Sequence, residues 1–154
     1  MVRKIAVVCD HRGIKLANSL QKYLISEGYD VLMVKTDNAA DDYADNAMVA
    51  INWLKKGNVD RAILICGTGV GMAIVANRCK HVLAVHASSE AEAYFARRHE
   101  DVNVLAIGAG YSDSVMEIKM STAKAKKIVD AFLNTPFEGG RHIARLDKIR
   151  KIVE

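Results

Sequence analysis

Proline occurs only once in the 154 residues, at Pro136, and no segment is rich in glycine, serine or proline. Such a chain offers no extended linker and no low-complexity tract to divide it, so a single domain spanning 1–154 is the expectation. The three cysteines, Cys9, Cys66 and Cys79, are odd in number and form no Cys-x-x-Cys pair, which argues against a disulfide framework and against a zinc site. Apolar runs stop well short of the roughly 18 residues of a membrane span, and Met1-Val2-Arg3-Lys4 leads straight into a strand without a cleavable signal. A cytoplasmic protein with no membrane partner is expected. Aromatic residues are scarce and are not interleaved with basic ones, and no recognised nucleic-acid motif is present, so the net charge of +4 does not predict a nucleic-acid partner.

What the chain does contain is a regular alternation of strand-length apolar runs and helical periods. The runs Ile5 to Cys9, Val31 to Val34, Ala62 to Cys66, Val82 to Val85 and Val102 to Ile107 read as five strands. Between them lie a helix with Leu16, Leu20 and Leu24 on one face, one with Ala47, Met48, Ile51 and Leu54, a short one from Met72 to Cys79, and one opened by the capping box Ser89-x-x-Glu92. A polar loop is expected at Thr36 to Asp42. Gly108-Ala109-Gly110 breaks the alternation, then a helix striped by Ile128, Val129, Phe132 and Leu133 runs to Pro136, and a C-terminal helix follows Gly139-Gly140. The pattern predicts an α/β fold in three layers, a five-stranded parallel sheet with helices on both faces. The flavodoxin-like order 2-1-3-4-5 is expected, with ligands bound where the connections reverse between strands one and three.

That rule selects Cys9-Asp10-His11-Arg12-Gly13 and Cys66-Gly67-Thr68-Gly69-Val70-Gly71. In the second loop a thiol and a glycine-rich turn pass from a strand into a helix N-terminus, where backbone N–H groups can meet an anionic oxygen. The same field favours a thiolate, so Cys66 is a candidate base or nucleophile, or else a small buried hydrophobe at a tight turn. The turn fits no nicotinamide fingerprint, because Met72 stands where a small residue is required, and no Walker loop, because Gly71-Met72-Ala73 supplies no Gly-Lys-Ser/Thr. His99, in Arg97-Arg98-His99-Glu100, is either a catalytic group or a partner for a helix dipole. Arg141 and Arg145 sit one turn apart at the start of the last helix, where cations oppose the dipole. They mark an anion site or a solvated basic face.

Together, Cys9-Asp10-His11-x-Gly13, Cys66 through Met72 with Ala76-Asn77-Arg78, Ala96-Arg97-x-His99, Asn103-Val104-Leu105 and Phe137-Glu138-Gly139-Gly140-Arg141-His142-x-x-Arg145 resemble the type B ribose-5-phosphate isomerases. That wider family also contains galactose-6-phosphate and allose-phosphate isomerases. The resemblance runs from about Ile5 to Ile149 and implies a Rossmann-like subunit, no metal, no cofactor, and a homodimer whose pocket is shared between subunits. Assembly of dimers into a tetramer stays open. It also implies that an aldose phosphate and a ketose phosphate interconvert through a cis-enediolate. On this resemblance Cys66 is the proton-transferring base, Thr68 supports it, and backbone N–H groups from Gly67 to Ala73, with Gly67, Gly69, Gly71, Met72 and Ala73 as substrate contacts, hold the enediolate oxygen. His99 opens the sugar ring, Asp10 contacts a hydroxyl, Glu100 occupies a substrate-contact position, and His11, Arg141 and Arg145 grip the phosphate.

Departures from the family pattern fall on the substrate side. Glu100 replaces a usual asparagine, Gly110 replaces a common phosphate-binding arginine, Ala73 replaces a frequent serine, and Tyr111 to Ser121 is longer than usual. Lys119 is the candidate substitute for the missing arginine. A six-carbon sugar phosphate, or binding without catalysis, are the alternatives these changes leave open.

Overall fold

The computed structural model describes residues 1–35 and 42–152. Most of the polar loop expected at Thr36 to Asp42 lies outside the described residues, although Asp42 is seen as the N-cap of the helix after it, accepting from the Ala44 and Asp45 amides. The strands β1 (Lys4–Cys9), β2 (Asp30–Lys35), β3 (Arg61–Cys66), β4 (Ala84–His86) and β5 (Val104–Gly108) form one parallel sheet. Helices α1 (Ile14–Ser26), α2 (Tyr43–Lys55), α3 (Val70–Asn77), α4 (Glu90–Glu100), α5 (Thr122–Asn134) and α6 (Arg141–Arg150) complete the layers. No helix among the described residues is long and apolar enough to cross a membrane.

Alternation along the strands divides the interior into two unequal cores. Ile5, Val7, Ile63, Ile65, Leu105 and Ile107 point to one face, against Leu20 and Leu24 of α1, Ala93 of α4, and Ile128 and Phe132 of α5. Ala6, Val8, Ala62, Leu64, Cys66 and Ala106 point to the other, against Ala47, Ala50 and Ile51 of α2 and Met72, Ala73 and Ala76 of α3. The second face is built largely from alanine, so α2 and α3 lie close to the sheet and the α3 N-terminus is drawn up to the end of β3.

The expected layers are present, but the strand order is 2-1-3-5-4 and not 2-1-3-4-5. β5 is buried along its whole length and takes the interior place, whereas the three-residue β4 is only partly covered and lies at the edge. Connection handedness then fixes the helices. The chain steps outward from β3 to β4 through α3 and back from β4 to β5 through α4, and two right-handed crossovers in opposite directions must lie on opposite faces. α4 accordingly joins α1 and α5, away from α2 and α3.

Two strand boundaries also moved. Val82 and Leu83 precede β4, with the Leu83 amide taken by the Asn103 side chain at 2.9 Å, and Val102 precedes β5, its carbonyl capped by the buried Arg97. Past β5, where the glycines break the alternation, the chain forms an antiparallel hairpin, β6 (Gly110–Ser112) and β7 (Glu117–Lys119), that the sequence did not suggest. The capping box is present, with Ser89 and Glu92 satisfying each other's amides.

Candidate active site

The reversal between β1 and β3 brings the two selected loops together, as the topological rule requires. Asp10 is 6 % exposed, and its Oδ1 accepts from the Arg12 and Gly13 amides at 2.9 and 3.2 Å. This turn sends α1 away from the sheet edge and leaves Asp10, His11 and Arg12 lining a cavity of about 410 Å³ with Cys66, Gly67, Thr68 and Gly71. Burial of the Cys9 side chain, with Asp10 beside it, pushes that thiol up to about 12, so Cys9 stays a neutral core group.

In the turn itself, Gly69 adopts φ +81°, a conformation that costs most residues roughly 1–2 kcal/mol. A Cβ there would also stand 2.7 Å from the Ile107 carbonyl carbon. This fold of the chain points the Gly69 amide at Cys66 Sγ, 3.1 Å away, and the Val70 amide at Thr68 Oγ1, 3.2 Å away. His86 Nε2 donates to the Thr68 carbonyl at 2.9 Å, pinning the middle of the turn from the end of β4.

Not every amide from Gly67 to Ala73 is therefore free, as the resemblance implied. Gly69 and Val70 donate within the turn, and the Ala73 amide makes the first helical bond, to the Gly69 carbonyl at 3.2 Å. The amides of Gly67, Thr68, Gly71 and Met72 have no acceptor among the described residues. The residues among these that line the cavity are Gly67, Thr68 and Gly71, whose N–H groups, with the positive end of α3, can cradle an oxyanion beside the sulfur. Met72 is wholly buried and Ala73 nearly so, and neither lines the cavity, so both belong to the core beneath the turn.

His99, Glu100, Arg141 and Arg145 are elsewhere. α4 runs back along the sheet, and the chain re-enters β5 at Val104, opposite Ala62, whereas Cys66 pairs with Gly108 at the other end of that strand. Five strand residues put the two sheet edges roughly 13 Å apart. At the amino-terminal edge, the half-buried His99 ring stacks on His142, centroids 4.4 Å apart and planes within 8°. Burial of His142, with His99 and Arg141 beside it, holds its imidazole below the ordinary histidine range. Arg141 Nε reaches His142, and Arg145 donates to the Arg141 carbonyl at 3.4 Å, so both guanidiniums belong to this second cluster, while Glu100 stays exposed.

His99, Glu138 and His142 have ligand atoms within 4.8 Å of one another, yet they suit a cation poorly. Glu138 is already paired with Arg98 at 2.7 Å, and Arg141 Nε lies 3.5 Å from His142 Nε2. A separate cavity of about 450 Å³, beside Arg61 and Arg97, contains none of the expected site residues, and both arginines are taken up by backbone carbonyls.

Sequence reasoning missed Arg12, Tyr43, Ile74 and Tyr111 as lining residues of the Cys66 cavity. Tyr43, at the start of α2, lies against Gly71. Tyr111 comes from the hairpin, which is close because β5 neighbours β3: the Ala109 and Gly110 amides donate to the Cys66 and Gly67 carbonyls at 2.8 and 3.1 Å. The expected substitute cation, Lys119, does not line this cavity and is paired with Glu117 at 3.1 Å.

Comparison with known proteins agrees with this architecture. Residues 5–149 match the Ribose/Galactose Isomerase family model. The chain is 38% identical to ribose-5-phosphate isomerase B of Escherichia coli, covering 98% of this chain and 97% of that protein. It is 30% identical to the galactose-6-phosphate isomerase subunit LacA of Lactococcus lactis, covering 96% and 98%. The structure of Mycoplasma genitalium ribose-5-phosphate isomerase B with bound ribulose-5-phosphate superposes with a TM-score of 0.86 at 36% identity, covering 99% of this chain and 97% of that one. The chain belongs to the ribose/galactose isomerase family.

Proposed function

We propose that this protein interconverts ribose 5-phosphate and ribulose 5-phosphate, with Cys66 as the base. The Cys66 thiolate removes the proton from C2 of the open-chain aldose, and the C2–H electron pair becomes the C1=C2 bond of a cis-enediolate. Charge that develops on O1 falls on the amides of Gly67, Thr68 and Gly71, donors that need no rearrangement at the moment of reaction. Cys66 returns the proton to C1 while the C2 hydroxyl proton passes to O1, with Thr68 beside the sulfur to support the exchange. Asp10 meets a sugar hydroxyl, and His11 meets the phosphate. The observation that carries this reading is the sulfur held by the Gly69 amide at 3.1 Å beside those unpaired donors.

Ring opening by His99 and phosphate capture by Arg141 and Arg145 come from a second copy of the chain. The partition of these residues between opposite sheet edges supports a homodimer. So do the apolar groups beside each cluster: Val70 and Ile74 are 45% and 61% exposed near Cys66, and Phe95 and Ile143 are 53% and 49% exposed near His99. In a two-fold dimer each patch meets the other twice.

Cys66→Ala tests the chemistry. Turnover is expected to fall at least a hundredfold, within the roughly 10²–10⁴ range of a lost acid–base group, while sugar-phosphate binding persists. Unchanged isomerisation would remove Cys66 from this role. A second reading, a six-carbon substrate, is favoured by the exposed carboxylate of Glu100 and by the likeness to a galactose-6-phosphate isomerase subunit. Catalytic efficiencies on a panel of five- and six-carbon phosphates separate the two, and turnover by the purified chain alone disposes of a non-catalytic role.

A further inference from the structure

Arg12 is a cation at the cavity of the candidate thiol that no carboxylate among the described residues neutralises. Its backbone is fixed by Asp10, and its side chain lines the Cys66 cavity. The guanidinium lies 4.7 Å from the centroid of the Tyr111 ring. A Cβ added to Gly67 would stand 3.0 Å from Arg12 Cδ and 3.1 Å from Tyr111 Cδ2, so stem and ring rest directly on the backbone of the Cys66 turn. By contrast, cations elsewhere in the molecule are taken: Arg97 by Asp101, Arg98 by Glu138, Lys119 by Glu117. Arg12 has no carboxylate partner, and its guanidinium makes no hydrogen bond among the described residues.

A guanidinium that is held by its stem and a ring face keeps its N–H fork free, and that fork matches the oxygens of a phosphoryl group. The hairpin supplies the ring and the loop after β1 supplies the cation, so two segments meet over the turn to hold one charge. A flexible surface arginine would be positioned by neither.

We infer that Arg12, clamped on Tyr111, is a specificity-determining residue that binds the phosphoryl oxygens of the substrate and fixes their distance from Cys66. The inference rests on the isomerase reading above and deepens it. Because the Arg12 stem sits on Gly67, next to the reacting sulfur, the span from proton transfer to phosphate is set within one chain. That span selects the number of carbons between them.

Binding of inorganic phosphate to the full-length protein, measured by calorimetry, tests this without requiring turnover. Arg12→Met keeps an unbranched stem on Tyr111 and removes the charge, and it should weaken phosphate binding roughly tenfold to a hundredfold. With ribose 5-phosphate its loss should fall mainly on KM. Arg12→Lys, a cation without the fork, should be intermediate. Tyr111→Leu, which frees the cation without removing it, should weaken phosphate roughly two- to fivefold, and it serves if Arg12→Met does not fold. Unaltered phosphate affinity in Arg12→Met overturns the inference, and if the wild type then isomerises normally the proposed function still stands. A wild type without isomerase activity overturns the proposed function instead, and the phosphate titration still decides the role of Arg12.

Discussion

The two edges of the sheet carry two kinds of site. At the carboxyl-terminal edge, the main chain does most of the work: amides hold the Cys66 sulfur and the Thr68 hydroxyl, others remain open to an oxyanion, and a left-handed glycine fixes the turn. At the amino-terminal edge, side chains do it: His99 stacks on His142, and Arg141 and Arg145 project from the first turns of α6. A backbone site is rigid and takes little shape from its surface residues. A side-chain site on helix ends can be retuned one residue at a time, as the Glu100 departure next to His99 illustrates, while the departures at Ala73 and Gly110 fall at the carboxyl-terminal edge. On the proposed mechanism neither edge holds every group that isomerisation needs, so the strongest tests ask whether the two combine.

Mixing inactive variants asks this directly and should give the largest effect. Cys66→Ala and His99→Gln should each be nearly inactive alone. If every pocket takes Cys66 from one subunit and His99 from the other, a mixed dimer has one doubly damaged pocket and one intact pocket. Random reassortment after co-refolding should then restore about a quarter of wild-type activity per site. No recovery, with mixed dimers shown to form, would mean that the two edges do not build one pocket.

A pair of glycine substitutions measures how differently the two edges are built. Gly28, after α1 at the amino-terminal edge, and Gly69 have similar backbones, φ +89° and +81°. A Cβ at Gly28 meets nothing within 4 Å, whereas at Gly69 it meets the backbone of Ile107 and Gly108 at 2.7 and 2.8 Å. Gly28→Ala should cost about 1 kcal/mol, the conformational term alone, and Gly69→Ala roughly 3–4 kcal/mol, with loss of turnover. Equal shifts in denaturant midpoint would show that crowding does not fix the Cys66 turn.

The pairing of Asp10 with Cys66 was legible in the sequence because it needs only that β1 and β3 be neighbours. The exchange of β4 and β5 was missed, and with it Tyr111, since the hairpin reaches the cavity only when β5 lies beside β3. A signal was present: Val104-Leu105-Ala106-Ile107-Gly108 is apolar throughout, whereas Ala84-Val85-His86 is short and ends in a polar residue, the mark of an edge strand. Arg12 was passed over as the variable residue of its motif. Its importance lies in Tyr111 and Gly67, both distant in sequence. His142 was seen only as part of a motif, because stacking on His99 depends on how α6 meets α4.

The smallest effect concerns α4, which links the two edges. Its N-terminal cap lies near the carboxyl-terminal edge: Glu92 accepts from the Ser88 amide, the Ser88 hydroxyl and the Ser89 amide at 2.6, 3.1 and 3.0 Å. These bonds, the Ser88 amide first, hold the Glu92 carboxyl below its ordinary value. A carboxyl lowered in the folded state contributes stability above its unfolded value of about 4.3, and that contribution is lost as pH falls through the folded value. Glu92→Ala should destabilise the protein by less than about 1 kcal/mol at pH 7, because the group is exposed and screened. Denaturant midpoints of variant and wild type should converge as pH drops below about 4, with catalytic efficiency at pH 7 unchanged. A gap that persists at low pH would assign the cap's value to packing of the side chain and not to its charge. A fall in catalytic efficiency would show that the position of His99 depends on the opposite end of its helix.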